Sequence, residues 1–454
     1  MKKINLNKKQ KIIIVFVAVI VTALIVKGIT SNSSAPIDYN DSEISEEINT
    51  GEYQEDGDNL LEDSYVQVKE VPEGYIGIYT VDELIRSGIN ENGKYILMAD
   101  LDLSSEKDWD GITNRGCFEG NLHTISNLTS NHSGLFEFCI DVQHLTLDNV
   151  NISTDEDNLN GEYDYNMIVG AIANECGGYI GECTVNGSIQ CKVTGKNREV
   201  SGEKEYNSSA YIGGIAGKMF NDTNVENYQI FNCVNNIDIY INNIHEGTSV
   251  AGGIVGYGEV QVDNCINNGK IDVSAVELTD ADNLFITDGI AAGGGIVGYA
   301  NCSECEANII SCTNTGKVQS HCNSGGIVGY CGMDLSSITI EYCTNTGSID
   351  CSTQPENSAC GGIVGRVLNH NENNMIRMCV NLGIIYSTAK NTGSIVGCID
   401  NNLQVTECTY TDNSETGEAK LDISGTGEMF ADNNQLTLDE AEKQYPYAFN
   451  NEKE

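Results

Sequence analysis

Three tyrosines occupy the same position of a repeated motif and could form a binding surface. Tyr257, Tyr299 and Tyr330 each lie five residues beyond the first glycine of a Gly-Gly-Ile-Val-Gly segment. Aromatic rings that follow one another on an outer surface can stack against the rings of sugars. Rings at the edge of stacked strands also pack simply on each other. We therefore treat the three tyrosines as candidate ligand-binding residues, with an ordinary packing ladder as the alternative.

One acidic segment carries side-chain oxygens of the kind that Ca²⁺ binds. Its spacing does not match the EF-hand loop, because the twelfth position counted from Glu156 is Met167 rather than Glu. A solvated loop is the alternative to a calcium site. We expect no bound cofactor, unless Ca²⁺ uses these oxygens. The candidate calcium ligands are Asp155, Asp157, Glu162 and Asp164.

The chain has 18 cysteines, and they fall into two groups. Seven recur in a repeated motif, where a column of buried, reduced side chains is the simplest interpretation. The others include three closely spaced pairs, which are better candidates for disulfides. Cys302 and Cys305 could instead form half of a metal site, but the sequence has no second Cys-x-x-Cys. The candidate disulfide cysteines are Cys302, Cys305, Cys322, Cys331, Cys351 and Cys360.

Catalytic residues are not recognisable in the sequence. Enzymes that cleave polysaccharides place paired carboxylates on one surface. This chain has no adjacent Asp-Asp pair, and its 6 His lie far apart. We therefore expect no catalytic residue. The alternative is a polysaccharide lyase or glycoside hydrolase whose site is assembled across repeats.

Two markers alternate along the chain and define its repeat. The first is Gly-Gly-Ile-Val-Gly, as in Gly252–Gly256, with start-to-start steps of 43, 39, 42, 31, 36 and 32 residues, counting a worn first copy at Gly170. The second is Cys-x-Asn-x-Gly-x-Ile, as in Cys265–Ile271, which follows each first marker by 13 to 20 residues. Such alternation over seven cycles indicates that one cycle is one turn of a solenoid.

The repeat predicts an all-β fold, a right-handed parallel β-solenoid with short terminal capping helices. Three short parallel strands per coil and about 4.8 Å between coils would place like residues directly above one another. We expect about eight or nine coils in total. The expected columns are an isoleucine column from Ile172 to Ile395, a cysteine column from Cys183 to Cys408, and an asparagine column from Asn235 to Asn381.

Capping signals flank the repeats. Thr80 followed by Glu83 predicts a helix start, with Gly88 at its end. Thr437 followed by Glu440 predicts a second short helix that ends near Pro446 and covers the last coil. Covered ends matter because open strand edges invite pairing with other chains.

The N-terminus has the pattern of a membrane anchor. Residues 1–11 carry five lysines and no acid, and residues 12–30 are apolar apart from Lys27. In a helix these 19 residues span about 28 Å, close to the thickness of a bilayer core. The flanking lysines place the rest of the chain outside the cell. We expect a single-pass anchor, or secretion if this segment is cleaved.

The domain organisation follows from these boundaries. The net charge of −42 repels the phosphates of nucleic acid, so nucleic acid is excluded from the expected partners. The expected partners are the membrane, through residues 12–30, and glycans or proteins of a host or of the cell envelope. The segments are a basic tail at 1–11, the anchor at 12–30, an acidic spacer at 31–73, opening coils at 74–165, repeat coils at 166–412, and a C-terminal cap and tail at 413–454.

The alternating markers resemble the GLUG repeats of bacterial cell-surface proteins. Such repeats also occur beside the catalytic domain of IgA-peptidase-like proteins. The resemblance covers roughly Tyr75 to Asp412 and implies a surface setting linked to adhesion. No catalytic residue carries over, because the peptidase motif His-Glu-x-x-His is absent and His245-Glu246 is followed by Gly-Thr-Ser. We therefore expect surface display, adhesion or the binding of a ligand such as a glycan, without catalysis.

Overall fold

The computed structural model divides the chain into two units, Met1–Val66 and Gln67–Glu454. All elements described below belong to the second unit. The structure describes residues 65–88, 90–155, 166–193, 198–200, 203–205, 209–222, 225, 228–243, 248–275, 291–301, 306–332, 337–351, 358–368, 373–387, 391–399, 403–411 and 433–445.

The predicted anchor at residues 12–30 lies outside these ranges, and so do residues 31–64 of the spacer that is predicted at 31–73. Within the ranges, no helix has the length and apolar character needed to cross a membrane.

The protein is a parallel β-solenoid built from three sheets, which confirms the predicted fold class. Strands of successive coils pair in parallel in each sheet. A single antiparallel hairpin, Arg198–Val200 with Glu203–Glu205, stands outside them in the described part of the chain. A coil of the repeat visits the third sheet, then the first, then the second.

The first sheet has 17 strands: Ile76–Ile78, Lys94–Leu97, Ile112–Glu119, Phe136–Gln143, Ala173–Gly181, Ala216–Met219, Gln229–Phe231, Val255–Gly258, Gln261–Asp263, Val297–Ala300, Glu306–Ile310, Val328–Cys331, Ser337–Glu341, Val364–Val367, Met375–Arg377, Val396–Ile399 and Gln404–Thr406. The second has 16: Leu101–Asp102, Thr124–Ser126, Thr129–Ser130, Thr146–Asp155, Thr184–Val193, Val234–Asn243, Ile266–Asn267, Ile271–Ala275, Thr313–Asn314, Val318–Ser320, Thr344–Asn345, Ile349–Cys351, Val380–Asn381, Ile385–Ser387, Thr409–Thr411 and Asn434–Leu436. The third has seven: Asn166–Gly170, Ser209–Gly213, Ser249–Gly252, Ala291–Gly294, Asn323–Gly325, Ala359–Gly361 and Asn391–Gly393.

The coil is more finely divided than the three strands that the sequence predicts. The coil that starts at Ser249 contains five short strands, because the first and second sheets each take two segments from it. The solenoid begins at the N-terminal end of the predicted opening coils. Ile76–Ile78 already pairs in parallel with Lys94–Leu97. In the described residues, eleven successive strands of the first sheet stack from Ile76–Ile78 to Val396–Ile399, rather than eight or nine.

The isoleucine column lies in the core, as predicted. Its members are fully buried, and the N–H of each of the first six donates to the carbonyl of the isoleucine in the next coil at 2.9–3.1 Å. The column therefore combines apolar burial with an unbroken chain of backbone hydrogen bonds. Its members are Ile172, Ile215, Ile254, Ile296, Ile327, Ile363 and Ile395.

A left-handed corner precedes the cysteine column, and the sequence did not predict it. Eight residues adopt φ values between 51° and 56°, one per coil. Only two of the eight are asparagine, the residue that best tolerates this conformation after glycine. The corner turns the chain from the first sheet into the second. Its residues are His144, Glu182, Asn232, Asn264, Ser311, Tyr342, Met378 and Glu407.

The cysteine column immediately follows this corner and consists of buried, free thiols. Each Sγ donates to the carbonyl two residues earlier at 3.2–3.4 Å. The same carbonyl also accepts the N–H of the corner residue in the preceding coil, so the thiol adds a second, weak hydrogen bond to it. Burial raises the pKa of Cys183, Cys265 and Cys343. The thiols at these three positions stay protonated and act as small apolar groups with one weak donor.

The asparagine column forms a buried amide ladder. Nδ2 of Asn267 donates to Oδ1 of Asn314 at 2.8 Å, and Asn314 donates in the same way to Asn345 at 2.8 Å. Nδ2 of Asn267 also donates to the carbonyl of Gly269, and Oδ1 accepts the N–H of Gly269. These bonds satisfy polar groups that would otherwise be costly to bury.

The two sequence markers meet across the core at this ladder. A Cβ on Gly295, the second glycine of the first marker, would collide with the amide of Asn314 and with the carbonyl of Gly326. The same contact joins Gly253 to Asn267 and Gly326 to Asn345. The second glycine is therefore required because the asparagine amide occupies the space of its side chain.

The flanking coils vary at both positions together. In the coil before the ladder, Ala171 stands at the glycine position, and Val185 is in register with Asn235. In the last coil, Ser394 replaces the glycine, and Tyr410 is in register with Asn381. The pairing of glycine with asparagine is thus visible within this one chain.

The capping helices form as predicted. The first, Val81–Ser87, begins at Thr80, whose side chain accepts the N–H of Glu83, and ends at Gly88. The second, Leu438–Gln444, begins at Thr437 with a complete capping box to Glu440. It packs Ala441 against Leu436 and Leu382 of the second sheet.

A double-mutant cycle tests the contact between glycine and asparagine. Gly295→Ala should destabilise the fold by about 1–3 kcal/mol, because it overpacks the core. Combined with Asn314→Ala, it should cost less than the sum of the single variants, because the amide carbon that the added methyl group would meet at 2.3 Å is removed. Denaturant unfolding measures the three free energies. Gly88→Ala with Asn314→Ala is the additive control, and simple additivity in both cycles would contradict the contact.

Candidate functional site

The structure brings the three candidate tyrosines together in one continuous run. Tyr257 lies 5.3 Å from Tyr299 between ring centroids, and Tyr299 lies 4.9 Å from Tyr330. A fourth ring joins them, because Tyr211 of the third sheet lies 4.7 Å from Tyr257. We call Tyr211, Tyr257, Tyr299 and Tyr330 the tyrosine run. Sequence reasoning missed Tyr211, since it precedes the glycine marker instead of following it.

Strand register extends this column beyond the tyrosines. Towards the N-terminus, Tyr257 is in register with Lys218, which is in register with Glu175 and then Phe138. Towards the C-terminus, Tyr330 is in register with Arg366, and Arg366 with Cys398. The tyrosine run is therefore the middle of a longer column whose flanks carry charge.

The rings are packed on each other and are only partly accessible. Tyr330 is 8% exposed, and the other three rings are half-buried. Val250, Ala292 and Leu368 form a small apolar cluster with Tyr211, Tyr299 and Tyr330, outside the main core. Tyr257 and Tyr299 each contact a ring on either side, so their accessible parts are edges and hydroxyl groups rather than open faces. The run is a packing ladder that offers a rim of phenols.

The flanks of the run hold its charged groups. Nζ of Lys218 lies 3.7 Å from Oε1 of Glu175 and 5.3 Å from the centroid of Phe220. At the other end, Nε of Arg366 donates to Oδ1 of Asn323 at 3.2 Å, and Arg366 is only 5% exposed. Burial raises the pKa of the Tyr211 hydroxyl. The phenol there remains a neutral donor.

The predicted calcium ligands are mostly beyond what the structure describes. Asp155 is the last residue of the strand Thr146–Asp155. Asp157, Glu162 and Asp164 lie in residues 156–165, outside the described residues. Among the residues that are described, no three His, Cys, Asp or Glu side chains form a group that could hold a metal. The calcium site stays a prediction.

The six candidate disulfide cysteines have three different outcomes. Cys351 and Cys360 are joined by a disulfide, with Cα atoms 6.4 Å apart. Cys322 and Cys331 do not form the expected bridge and are both free and buried. Cys322 lies at the corner between the second and third sheets, whereas Cys331 ends a strand of the first sheet. Cys302 and Cys305 lie outside the described residues.

The disulfide occupies a corner that is cross-linked in neighbouring coils as well. Cys351 and Cys360 stack on Ser387 and Thr392 of the next coil, whose hydroxyl oxygens are 2.7 Å apart. In the preceding coil, Oγ of Ser320 lies 3.0 Å from Oγ of Ser324, and Ser324 is in register with Cys360. A covalent bond thus stands in a column of hydrogen-bonded hydroxyl pairs.

A histidine between two glutamates is a second group that sequence reasoning missed. Nδ1 of His144 lies 3.0 Å from Oε2 of Glu119, and Nε2 lies 3.5 Å from Oε2 of Glu182. Burial lowers the pKa of His144, but the hydrogen bond and charge of Glu119, with the charges of Glu182 and Asp141, raise it above its ordinary value. The imidazolium links three coils. Its partners are too far away in sequence to form a motif.

Replacing the disulfide tests what the corner requires. The double variant Cys351→Ser with Cys360→Ser should fold and lose about 1–2 kcal/mol, because the short closed loop gives a modest entropic gain that a hydroxyl pair partly replaces. The matched variant with alanine at both positions should lose more, since it restores no hydrogen bond. Denaturant unfolding under non-reducing conditions measures both. Equal losses would argue against the equivalence of the corners.

The His144 cluster should make stability depend on pH. A raised pKa in the folded state stabilises the protein fully below the pKa of the unfolded chain, about 6.5, and this stabilisation is lost as pH rises through the folded pKa. His144→Gln should therefore destabilise the protein more at pH 5 than at pH 8. Thermal unfolding across this range checks the sign. His132→Gln, at a more exposed ion pair, is the control.

Comparisons with known proteins give little further information. No family model matches the chain, and no curated protein matches it. Among solved structures, the chain is similar to a putative immunoglobulin A1 protease from Bacteroides ovatus, at 16% identity and a TM-score of 0.41, over 81% of this chain and 85% of that one. A likeness this distant carries no argument about activity, and the resemblance to GLUG repeats stays a prediction.

Proposed function

We propose that the protein is a non-catalytic display protein of the cell envelope that binds an elongated, hydroxyl-rich ligand along the tyrosine run. The observation that carries this proposal is the continuity of the run. Four rings follow one another with centroids 4.7–5.3 Å apart on the outer side of successive coils. A regular row of phenols suits a ligand that itself repeats, and a glycan of a host or of the cell envelope is such a ligand.

The accessible edges of the rings define how such a ligand would be held. Because neighbouring tyrosines cover each other's faces, the ligand would meet hydroxyl groups and ring edges. Hydrogen bonds from phenols to sugar hydroxyls, with apolar contact at the ring edges, are the interactions available. Binding would be weak for each coil and would accumulate along the run.

Two features support a location outside the cytoplasm. Disulfides persist mainly in oxidising compartments, and Cys351 is bonded to Cys360. The apolar segment at residues 12–30, with its preceding lysines, has the pattern of an anchor that leaves the following chain outside. The proposed arrangement is a solenoid held at the membrane by its N-terminal segment, or secreted if that segment is cleaved.

The net charge of the chain limits the classes of ligand that it can bind. With 66 Asp and Glu against 24 Lys and Arg, the chain repels polyanions, including nucleic acids. Neutral glycans avoid this repulsion, and so do protein surfaces that display them. The proposal therefore favours neutral over acidic polysaccharides.

A glycan array probed with the full chain tests the proposal, in a detergent whose head group is not a sugar. The variant Tyr257→Phe with Tyr299→Phe removes two hydroxyls and keeps the rings. It should weaken binding about five- to 100-fold, since each lost hydrogen bond contributes about 0.5–1.5 kcal/mol. Tyr240→Phe, on the second sheet, is the matched control and should bind like the parent.

Two results would count against this function. One is binding that the double variant leaves unchanged, which would place the ligand elsewhere. The other is release of reducing or unsaturated sugars from a polysaccharide panel by the parent protein. That result would favour a polysaccharide lyase or glycoside hydrolase over display.

A further inference from the structure

The outer face of the second sheet has its own composition. One column on it is β-branched in nine successive strands. By alternation, its side chains point outward, because each follows a buried cysteine, or its counterpart in the opening coils, and precedes a buried core position. The column consists of Thr124, Thr146, Thr184, Val234, Ile266, Thr313, Thr344, Val380 and Thr409.

A second column beside it is held rigid by its own hydrogen bonds. Nδ2 of Asn236 donates to Asn186 at 2.9 Å, and Nδ2 of Asn268 donates to Asn236 at 2.8 Å. The hydroxyl of Thr315 continues this line to Asn268 at 2.7 Å. These exposed side chains are already fixed, so covering them would cost little conformational entropy.

This face is also balanced in charge, unlike the chain as a whole. From Thr184–Val193 to Ile385–Ser387, the six coils present three bases and three acids on it. Lys270 pairs with Asp272 at 2.7 Å, and Lys317 pairs with Asp350 at 2.6 Å. The remaining two charges are Lys192 and Asp238.

The chain covers one end of this face itself. The C-terminal helix Leu438–Gln444 and the preceding strand pack against Leu382, with Val380 of the β-branched column at the edge of the contact. Side chains of this column therefore accept an apolar cover. In the described residues, no element covers the column from Val234 to Thr344.

We propose that this face is where two copies of the chain associate. Two molecules with a net charge of −42 repel each other over most of their surfaces, and a balanced face is where they can approach. A two-fold axis places the same surface of each copy against the other, and identical flat ladders can mesh in this way. Because Lys270 and Lys317 are paired with acids of the same copy, the face has no net charge that would repel its partner.

The size of the face suits a dimer. Six coils at about 4.8 Å and strands of about eight to ten residues give a patch of roughly 24 by 30 Å, on the order of 700 Å². A stable interface buries about 800 Å² on each partner. The two estimates agree within their precision, and the tyrosine run lies on a different sheet and stays free in the dimer.

Sedimentation of the full chain, in a detergent whose micelles are density-matched to the solvent, tests the proposal. The parent should sediment as a dimer of the 49.0 kDa chain at micromolar concentration. Thr344→Lys places a charge in the β-branched column and should raise the dissociation constant at least tenfold. Thr339→Lys is the matched control, because Thr339 is a half-buried threonine of the same coil on the outer face of the first sheet.

Circular dichroism and thermal unfolding of both variants would show that each keeps the fold. A parent that is monomeric up to about 100 µM would overturn the proposal, as would dimers that both variants weaken equally. A monomeric parent that Thr344→Lys releases from an insoluble neutral polysaccharide would assign the face to a glycan instead. Tyr240 lies on this face, so in that last case Tyr240→Phe no longer serves as the control of the glycan array. Dimerisation is otherwise independent of the binding that Tyr257→Phe with Tyr299→Phe tests.

Discussion

The structure depends on one contact repeated through the core, in which an asparagine amide fills the space left by a missing glycine side chain. Gly253, Gly295 and Gly326 each lie against the amide of an asparagine from the opposite side of the coil. The amide can be buried only because its donors and acceptors are satisfied within the ladder and by the turn two residues later. Any side chain at the glycine would push the two sides apart and break the ladder.

This contact fixes the position of the outer residues that follow it. Because the second glycine has one allowed place in each coil, residues at a fixed distance beyond it reach the same place on the outside. Tyr257, Tyr299 and Tyr330 are aligned for this reason, although the loops between coils differ in length. Core packing thus sets the spacing of the candidate binding surface.

The sequence predicted those features that the stacking itself repeats. A position that faces its own copy in the next coil favours one residue type. The isoleucine, cysteine and asparagine columns could therefore be predicted from the spacing of the two markers alone. The capping helices could be predicted because each begins with a hydrogen bond between residues three apart, Thr80 with Glu83 and Thr437 with Glu440.

Features that depend on backbone conformation or on single contacts between coils could not be predicted from the sequence. The left-handed corner accepts Met378 and Tyr342 as well as asparagine, so composition gives no signal. His144 meets glutamates of two other coils, and Tyr211 reaches the tyrosine run from another sheet. Proximity in sequence was misleading for Cys322 and Cys331, because nine residues carry the chain around a corner and onto a different sheet.

The buried amide ladder also has a direction, and this bears on how such a chain can change in length. Each asparagine from Asn235 to Asn345 donates towards the C-terminus, and the ladder stops where Asn381 donates instead to the carbonyl of Ser394. Inserting a whole coil would add one asparagine donor together with one asparagine acceptor, and deleting a coil would remove one of each. The bond from Asn381 to Ser394, which ends the ladder, would stay in place. Tandem duplication of a coil therefore leaves the hydrogen bonding of the interior unchanged. On the outside, it lengthens the rim of phenols in steps of about 4.8 Å. The reach of the surface can be adjusted by copy number alone, without any new side chain.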